Sequence, residues 1–257
     1  MTAAIVIARG GSKRLPRKNV KPFCGLPLVA WSIIQAKCSR LVDWVFLSTD
    51  DDEIEAIGKE YGAEIIRRPD WSDADQVSAN RVFIHALEVI AERDYDMPVF
   101  VSILPTVPLC KPDDIDKGIE HFHRVGSEHV WPAVKRRETT IYKNILDMKA
   151  KLLIWDKSYM YLEGNSGLYN VMSTAWYRWH YPLLTKALGD HDKALDGEIR
   201  TPMEYPDADG YYIECEPWQL CDVDTEAEFE TAEVLMEHYI LKGRGPEVYY
   251  EYAKGNA

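Results

Sequence analysis

A glycine-rich and strongly cationic loop follows the first apolar run of the sequence. Residues 7–19 read IARGGSKRLPRKN, with five cationic side chains inside ten positions. Gly10 and Gly11 let backbone N–H groups approach an anion closely because glycine has no Cβ. Further donors are the side chains of Arg9, Ser12, Lys13, Arg14 and Lys18. The loop predicts a polyphosphate site. A solvated basic loop is the alternative, since neither GxGxxG nor GxxxxGKS/T is present.

Two acidic residues near the other end of the chain form the second candidate group. Asp222 lies in a strand predicted over Leu220–Val223 and Asp224 directly follows it. As alternate positions of a short extended segment, both side chains point to the same side. Paired carboxylates suit Mg²⁺, which bridges protein carboxylates to substrate phosphates. The alternative is that Asp224 and Thr225 only cap the next helix, where Thr225 and Glu228 form a capping-box pattern. These residues alone leave both interpretations open.

These motifs make the chain resemble the acylneuraminate cytidylyltransferases, which make CMP-activated sialic acids and related sugars. The string ARGGSKRLPRKN at 8–19 is similar to the first signature of that family, and CDVDTE at 221–226 is similar to the last. Weaker matches lie between them in the same order: LSTDD at 47–51, RP at 68–69 with Asp75 and Ser78, PTVPL at 105–109, and NSGLY at 165–169.

The resemblance implies a role for each matched position. The triphosphate would be bound by Arg9, Lys13 and Lys18, together with Gly10, Gly11 and Ser12. The nucleoside would be bound by Asn19, Arg68, Asp75 and Ser78. The metal, Mg²⁺, would be held by Asp222 and Asp224. The sugar acid would be bound by Lys143, Asn165 and Tyr169.

By the same resemblance, the reaction joins CTP to a 2-keto sugar acid and releases pyrophosphate, and the partners are CTP and a small acidic sugar. The sugar side departs from the family pattern. Members that use sialic acid carry an arginine just before the NxxxY segment, expected to hold the sugar carboxylate. Here Glu163 stands nearby, and Lys143 is the candidate replacement for the missing charge.

Two other functions fit some of these residues. One is a glycosyltransferase that consumes a nucleotide sugar through a DxD metal site. The other is a degenerate, non-catalytic nucleotide-binding protein, which the altered sugar-side motifs make conceivable. A further DxD at Asp50–Asp52 is assigned to the first turn of a helix, where acidic residues complement the helix dipole.

Alternating strand and helix patterns in the first half predict how the motifs are positioned. Apolar runs predict strands at 3–8, 45–48, 63–66, 99–104 and 129–134. Helical stripes fall between them at 27–35, 51–61, 82–90 and 112–122. Repeated βα units of this length indicate a Rossmann-like, mainly parallel sheet with helices on both faces. Such sheets bind ligands at the carboxyl ends of their strands.

The pattern changes after residue 135, which suggests domain boundaries. We assign 1–135 and 167–242 to a nucleotidyltransferase α/β domain and 136–166 to an inserted flap for dimerisation, so a homodimer is expected. Residues 243–257 form a predicted C-terminal tail, which Tyr249, Tyr250 and Tyr252 could dock.

Composition sets limits on the class of protein. The chain has 257 residues, 46% of them hydrophobic, which is typical of a globular protein. A net charge of −12 argues against a nucleic-acid partner. Five scattered cysteines without a CxxC pair predict reduced thiols rather than zinc or disulfides. No leader pattern and no apolar stretch of about 20 residues is present, so we expect a cytoplasmic protein without a membrane span.

Overall fold

The computed structural model describes residues 1–71, 77–137, 152–155, 158–164, 168–178 and 211–255. Its strands are β1 (Thr2–Ile7), β2 (Pro22–Phe23), β3 (Leu26–Pro27), β4 (Trp44–Thr49), β5 (Glu64–Arg67), β6 (Val99–Ile103), β7 (His129–Arg137), β8 (Leu152–Trp155), β9 (Ser158–Gly164), β10 (Asn170–Ser173) and β11 (Tyr211–Glu214). Its helices are α1 (Leu28–Cys38), α2 (Asp52–Glu60), α3 (Ala79–Glu92), α4 (Asp114–Val125), α5 (Glu226–Met236) and α6 (Glu247–Lys254). Short 3₁₀ turns span Lys18–Val20 and Pro217–Leu220, a π-helical turn follows α5 at Glu237–Leu241, and residues 174–178 are helical.

Nine of these strands form one sheet in the order β5-β4-β1-β6-β10-β7-β9-β8, with β11 paired to β7. From β5 to β6 every pairing is parallel, as the repeated βα units predict. Beyond β6 the pairings of β10, β7, β9 and β8 are antiparallel, and β11 runs parallel to β7. The predicted Rossmann-like α/β fold is confirmed, and its parallel part lies in the N-terminal half.

The order in which the chain adds strands to the sheet reverses at β1. The chain steps outward from β1 to β4 and β5, and then returns to the opposite side of β1 at β6. The loops that leave β1 and β6 therefore diverge and open a crevice at the carboxyl ends of these two strands. The glycine-rich loop and the PTVPL segment are the two loops concerned.

Helices cover both faces of the parallel half. Ala4 and Val6 of β1 lie in a buried cluster with apolar residues of α1, α2 and α4. Ala3 and Ile5 point the other way, into a cluster with α3. Because side chains alternate along a strand, one short apolar run supplies both cores. The helices predicted on both faces are confirmed.

A third layer of helices covers α1 on the side away from the sheet. Phe229 and Met236 of α5 and Tyr249 of α6 pack with Trp31 of α1 in a second apolar cluster. Ten of the eleven residues of α1 are consequently buried. The sequence stripe predicted only one buried face, since it gives no sign of which distant helix covers the other.

The C-terminal segment contributes a docked helix rather than only an extended tail. Tyr249 is fully buried, and its hydroxyl donates to the carbonyl oxygen of Cys110. Gln35 of α1 donates from Nε2 to the Tyr249 hydroxyl at 3.3 Å and to the Pro108 carbonyl at 2.7 Å. The helix thereby supports the loop that follows β6.

One predicted strand was wrong. Residues Pro217–Leu220 form a 3₁₀ turn, and residues 221–224 have no regular structure. Pro217 begins the turn, and Glu216 and Gln219 close it with a reciprocal capping box. This local hydrogen bonding satisfies the backbone without a partner strand.

Two further sequence expectations concern the cysteines and the membrane. All five cysteines are free thiols, as predicted, and Cys38 and Cys110 are buried. Within the described ranges, no helix has both the length and the apolar character needed to cross a membrane. Part of the predicted flap is described: β8 and β9 extend the sheet beyond β7 as antiparallel strands.

Candidate active site

A cleft of about 450 Å³ lies where the loops after β1 and β6 diverge. It is lined by Ile7, Arg9, Ser12, Lys13, Arg14, Lys18, Asn19, Arg68, Val77, Ala79, Val82, Leu104, Pro105, Thr106 and Asp224. Seven of the predicted site residues, distributed over three separate segments, are therefore brought together. They are Arg9, Ser12, Lys13, Lys18, Asn19, Arg68 and Asp224.

A second cleft, of about 500 Å³, adjoins the first and shares Arg9, Arg68 and Val77 with it. Gly10 and Gly11 line this side, opposite Trp71. The first cleft contains the cationic loop residues up to Lys18, and the second adds the ring of Trp71 beside several charged residues. This arrangement suits a ligand that has both a polyphosphate and a flat ring.

Lys18 is a buried cation in the first cleft. It lies in the first 3₁₀ turn, and its side chain is only 7% exposed. Its Nζ donates to the carbonyl oxygen of Val223 and, at 3.0 Å, to Oδ1 of Asp224. A buried ammonium needs such partners because an unpaired charge in the interior is very costly. The pair ties the start of the chain to the loop before α5.

Asn19 presents an unused acceptor to the same cleft. Its Nδ2 donates to the carbonyl oxygen of Arg9 at 2.9 Å, which fixes the side chain. Its Oδ1 is buried and has no hydrogen-bond partner among the residues that the structure describes. Buried polar atoms are nearly always paired, so this atom fits a donor on a bound ligand. A ribose hydroxyl or a base amino group would satisfy it.

The glycine-rich loop is anchored to the N-terminus of α2. Arg17 adopts a left-handed backbone conformation with φ of 56°, and its guanidinium forms ion pairs with Asp51 and Glu53. Asp51 is the N-cap of α2, and its side chain accepts from the Glu53 and Ile54 amides at 3.0 Å. The prediction that this acidic segment lies at the start of a helix is confirmed, and Asp51 in addition caps that helix.

The backbone N–H of Gly10 was predicted to bind an anionic ligand, but it is used inside the protein. It donates to Oδ1 of Asp50 at 2.9 Å, so this amide already has an anionic partner. The glycine is required for a different reason. A Cβ at this position would lie 2.3 Å from Oδ2 of Asp51.

Arg68 is held between the two clefts. Its Nε donates to Oγ of Ser48 at 3.1 Å and its Nη2 donates to the Ser48 carbonyl at 2.9 Å. Burial, together with the nearby charge of Arg9, lowers the pKa of Arg68 to about 10, although Asp50 acts in the opposite direction. The guanidinium is therefore still cationic at neutral pH, fixed in orientation and short of counter-charge. Such a group favours an anion or a carbonyl oxygen.

The two candidate metal ligands flank a buried anchor. Val223 is fully buried in the apolar cluster beneath α5, and its N–H donates to the Thr106 carbonyl at 2.7 Å. Asp222 and Asp224 lie on either side of it in sequence. Partial desolvation raises the pKa of Asp222, and the charge of Asp224 raises it further, whereas a hydrogen bond with Thr106 lowers it. A nearby divalent cation would favour the charged form of Asp222.

Asp224 is not the cap of α5. Thr225 is the N-cap, and its side chain accepts from the Glu228 amide, while Glu228 Oε2 accepts from the Asp224 and Thr225 amides at 2.9 and 2.8 Å. The Asp224 carboxylate instead faces Lys18. Thr225 and Glu228 therefore perform the capping, which removes the alternative role considered for Asp224.

Asp222 and Asp224 fit Mg²⁺ in chemistry, because this ion takes one or two carboxylates together with substrate phosphates. Within the described ranges, no group of three or more histidine, cysteine or acidic side chains could hold a metal by itself. A site built from two carboxylates needs oxygen ligands from a substrate. This requirement matches a metal that arrives with a polyphosphate.

Of the three predicted sugar-side residues, the structure describes Tyr169. Tyr169 is 2% exposed and lies in the hydrophobic core, where it packs on α4. A Cβ at Gly118 would be 2.6 Å from the Tyr169 ring, and burial raises the pKa of the Tyr169 hydroxyl. Tyr169 therefore does not line the cleft, because its apolar ring fills the gap over Gly118. Lys143 and Asn165 lie outside the described residues.

Two other residues, Ser78 and Asp75, were predicted to bind the nucleoside. Ser78 is the N-cap of α3, where its Oγ accepts from the Arg81 amide at 3.3 Å beside the cleft residue Ala79. Asp75 lies outside the described residues. Sequence reasoning missed Trp71, which stacks under the Arg81 guanidinium at 4.9 Å. The only sequence signal for Trp71 was its position two residues after the RP motif at 68–69.

A sequence model of cytidylyltransferases matches residues 3–237. The chain belongs to the cytidylyltransferase family. A pseudaminic acid cytidylyltransferase of Campylobacter jejuni (strain 81-176) is 29% identical over 239 residues, which are 90% of this chain and 94% of that protein. An N-acylneuraminate cytidylyltransferase of Oncorhynchus mykiss is 33% identical over 134 residues, or 52% of this chain. The match spans only 30% of the length of that cytidylyltransferase.

Solved structures agree with this assignment at the level of the fold. CMP:2-keto-3-deoxy-manno-octonic acid synthetase, complexed with CTP, superposes with a TM-score of 0.61 at 16% identity, covering 93% of this chain and 99% of that one. A cytidylyltransferase from Leptospira borgpetersenii gives a TM-score of 0.56 at 16% identity, covering 99% and 94%. The cytidylyltransferase family therefore shares this Rossmann-like sheet.

Proposed function

We propose that the protein transfers CMP from CTP to a 2-keto sugar acid and releases pyrophosphate. One observation carries the proposal. The cationic loop after β1 and Asp224, 206 positions after Lys18, meet in a single cleft at the point where the sheet reverses direction. Membership of the cytidylyltransferase family supports cytidine as the base, and the relatives named above act on sugar acids.

On the nucleotide side, we assign the triphosphate to the end of the cleft that contains Arg9, Lys13 and Lys18. Asn19 and Arg68 then face the nucleoside, where the unpaired Oδ1 of Asn19 accepts a ligand donor. The anomeric hydroxyl of the sugar attacks the α-phosphorus of CTP: an O–P bond forms, the bond to the pyrophosphate breaks, and the hydroxyl proton passes to solvent. The cations bind the triphosphate in a fixed position and neutralise the charge that develops on the leaving group.

Asp222 and Asp224 are the proposed holders of Mg²⁺. When bound, the ion would neutralise phosphate charge and polarise the phosphoryl oxygens. The protein's own part is to keep the two carboxylates near the triphosphate. The buried anchor Val223 and the hydrogen bond from its N–H to Thr106 do this.

The acceptor is proposed to differ from N-acetylneuraminate around its carboxylate or side chain. Burying an unpaired sugar carboxylate costs several kcal/mol, and Glu163 near the expected arginine position adds like-charge repulsion. A smaller keto-acid sugar, or one with an amino group that Glu163 can pair with, fits better. We expect N-acetylneuraminate to be a poor substrate. A kcat/KM for it within the usual range of about 10⁴–10⁸ M⁻¹s⁻¹ would contradict this.

A homodimer is also proposed. Among the described strands, β8 ends the sheet order, so the described part of the chain offers one backbone edge of β8 to a partner strand. Sedimentation equilibrium measures this directly, and a purely monomeric protein at micromolar concentration would contradict it. The five free thiols and the use of CTP favour action in the cytoplasm.

The decisive experiment measures pyrophosphate release with each nucleoside triphosphate against a panel of 2-keto sugar acids, with Mg²⁺ and with EDTA. We expect release only with CTP, an acceptor and the metal. A glycosyltransferase would release no pyrophosphate from a free triphosphate. A non-catalytic binding protein would bind CTP in calorimetry and show no turnover with any acceptor.

A further inference from the structure

Asp224 has two cationic partners that differ greatly in mobility. Its Oδ1 accepts from Lys18 Nζ at 3.0 Å, and its Oδ2 pairs with Arg14 Nη2 at 2.7 Å. The Lys18 side chain is 7% exposed and is also bonded to the Val223 carbonyl, whereas the Arg14 side chain is 70% exposed. Lys18 is therefore fixed, and Arg14 can leave.

The two carboxylate oxygens of Asp224 are not equally accessible to a metal ion. Oδ1 faces a cation that is held by the protein interior. Oδ2 faces a guanidinium on the solvent side, and a metal ion that coordinated Oδ2 would lie close to that positive charge. The two cations repel each other, so Arg14 must move before a metal uses Oδ2.

A triphosphate supplies the reason for Arg14 to move. Arg14 lines the same cleft as Lys13 and Lys18, within the segment predicted to bind phosphate. Its planar guanidinium forms bidentate hydrogen bonds with phosphate as readily as with carboxylate. An ion pair with an exposed partner contributes little to stability, so a polyanion with several negative charges outcompetes a single carboxylate.

We propose that Arg14 is a counterion that the triphosphate displaces: it occupies Oδ2 of Asp224 until phosphate oxygens bind its guanidinium, and it thereby makes metal binding depend on nucleotide. Metal and nucleotide then bind with positive coupling, because each favours the state in which Arg14 has left Asp224. The inference rests on the proposed function, since it takes the triphosphate as the ligand of this cleft.

The test uses the full-length protein and two binding measurements that need no turnover. Mn²⁺ affinity is measured by electron paramagnetic resonance without nucleotide, and CTP affinity is measured by calorimetry in EDTA. Arg14→Gln should tighten Mn²⁺ binding by about three- to tenfold, since a competing charge is gone. The same variant should weaken CTP binding by about tenfold, since a charge-assisted phosphate contact is lost.

These opposite signs separate the inference from a structural role for Arg14, which would weaken both ligands or neither. Arg244→Gln is the matched control, because Arg244 also forms an exposed ion pair with a carboxylate, Glu251, at 2.7 Å. It should change neither affinity. Asp224→Asn should weaken Mn²⁺ binding, which would show that the Asp224 carboxylate is a ligand of the metal.

Unchanged Mn²⁺ affinity in Arg14→Gln, in a protein with a native circular dichroism spectrum, overturns the inference. So does CTP affinity in EDTA equal to that of the wild type. Failure of the proposed function is seen separately, as no pyrophosphate release from wild-type protein with any triphosphate and acceptor. The metal and nucleotide titrations do not depend on that assay.

Discussion

At the residue scale, Asp224 and its neighbour Thr225 perform separate tasks. The carboxylate of Asp224 pairs with Lys18 in the cleft, and the hydroxyl of Thr225 caps α5. Because these two neighbours have different partners, variants at the two positions can be compared directly. A substitution at one position should affect chemistry, and a substitution at the other should affect the helix.

We expect Asp224→Asn to lower kcat/KM by about a hundredfold or more, because a ligand of the metal and the counter-charge of Lys18 are both altered. Thr225→Ala should instead cost about 1 kcal/mol of unfolding free energy and leave kcat/KM within about twofold. Rates and urea unfolding curves for both variants provide the measurement. Wild-type rates in Asp224→Asn would show that this carboxylate does not hold the metal.

At the element scale, the C-terminal helix α6 supports the active-site loop. The Tyr249 hydroxyl donates to the Cys110 carbonyl at the end of the loop that follows β6, and Gln35 of α1 donates to the same hydroxyl. The loop carries Thr106, which in turn accepts from the Val223 amide. Packing of a distant helix therefore contributes to the position of Asp222 and Asp224, the proposed metal ligands.

Tyr249→Phe should lower the unfolding free energy by about 1–3 kcal/mol, because the buried Cys110 carbonyl loses its donor. Tyr249→Ala should cost about 3–5 kcal/mol, since a large buried ring is also removed. Tyr250→Phe is the matched control at the next position, where the residue is 42% exposed. Its effect should stay within about 0.5 kcal/mol in urea titrations. Equal effects at both positions would exclude a docking role for Tyr249.

At the scale of the whole molecule, a polar chain joins the two halves of the sheet. His129 of β7 bonds through Nε2 to Asn170 Oδ1 of β10 at 3.1 Å, and Asn170 Nδ2 donates to Ser102 Oγ of β6 at 3.2 Å. Burial lowers the pKa of His129, although the Asn170 hydrogen bond acts in the opposite direction. A histidine that is neutral at pH 7 thus helps to join the parallel and antiparallel halves of the sheet.

This lowered pKa predicts how stability depends on pH. The unfolded chain binds a proton at the ordinary histidine pKa of about 6.5, and the folded protein does so only at lower pH. The contribution of the neutral ring is therefore complete above about pH 6.5 and is lost as the pH falls towards the folded pKa. His129→Gln should flatten the slope of melting temperature between pH 7 and about 5. The exposed His123→Gln is the control, and an unchanged slope in His129→Gln would refute the assignment.

The sequence alone determined the features that depend on neighbouring residues. A phosphate-binding loop needs glycines and cations next to each other, a capping box needs Thr225 and Glu228 three positions apart, and βα units need local periodicity. The family, the α/β fold, the free thiols, the helix that starts at the acidic segment 50–52 and the capping role of Thr225 were predicted correctly for this reason. The choice between a cap and a cleft role for Asp224 stayed open.

Only the tertiary structure decided which distant residues share a partner. Lys18 meets Asp224 across 206 positions, Tyr169 enters the core over Gly118, and the Gly10 amide is taken by Asp50. No local pattern encodes these contacts, because each depends on how separate helices and strands pack. The sequence identifies groups that can bind a triphosphate and a metal, and packing decides which atoms of those groups are already occupied.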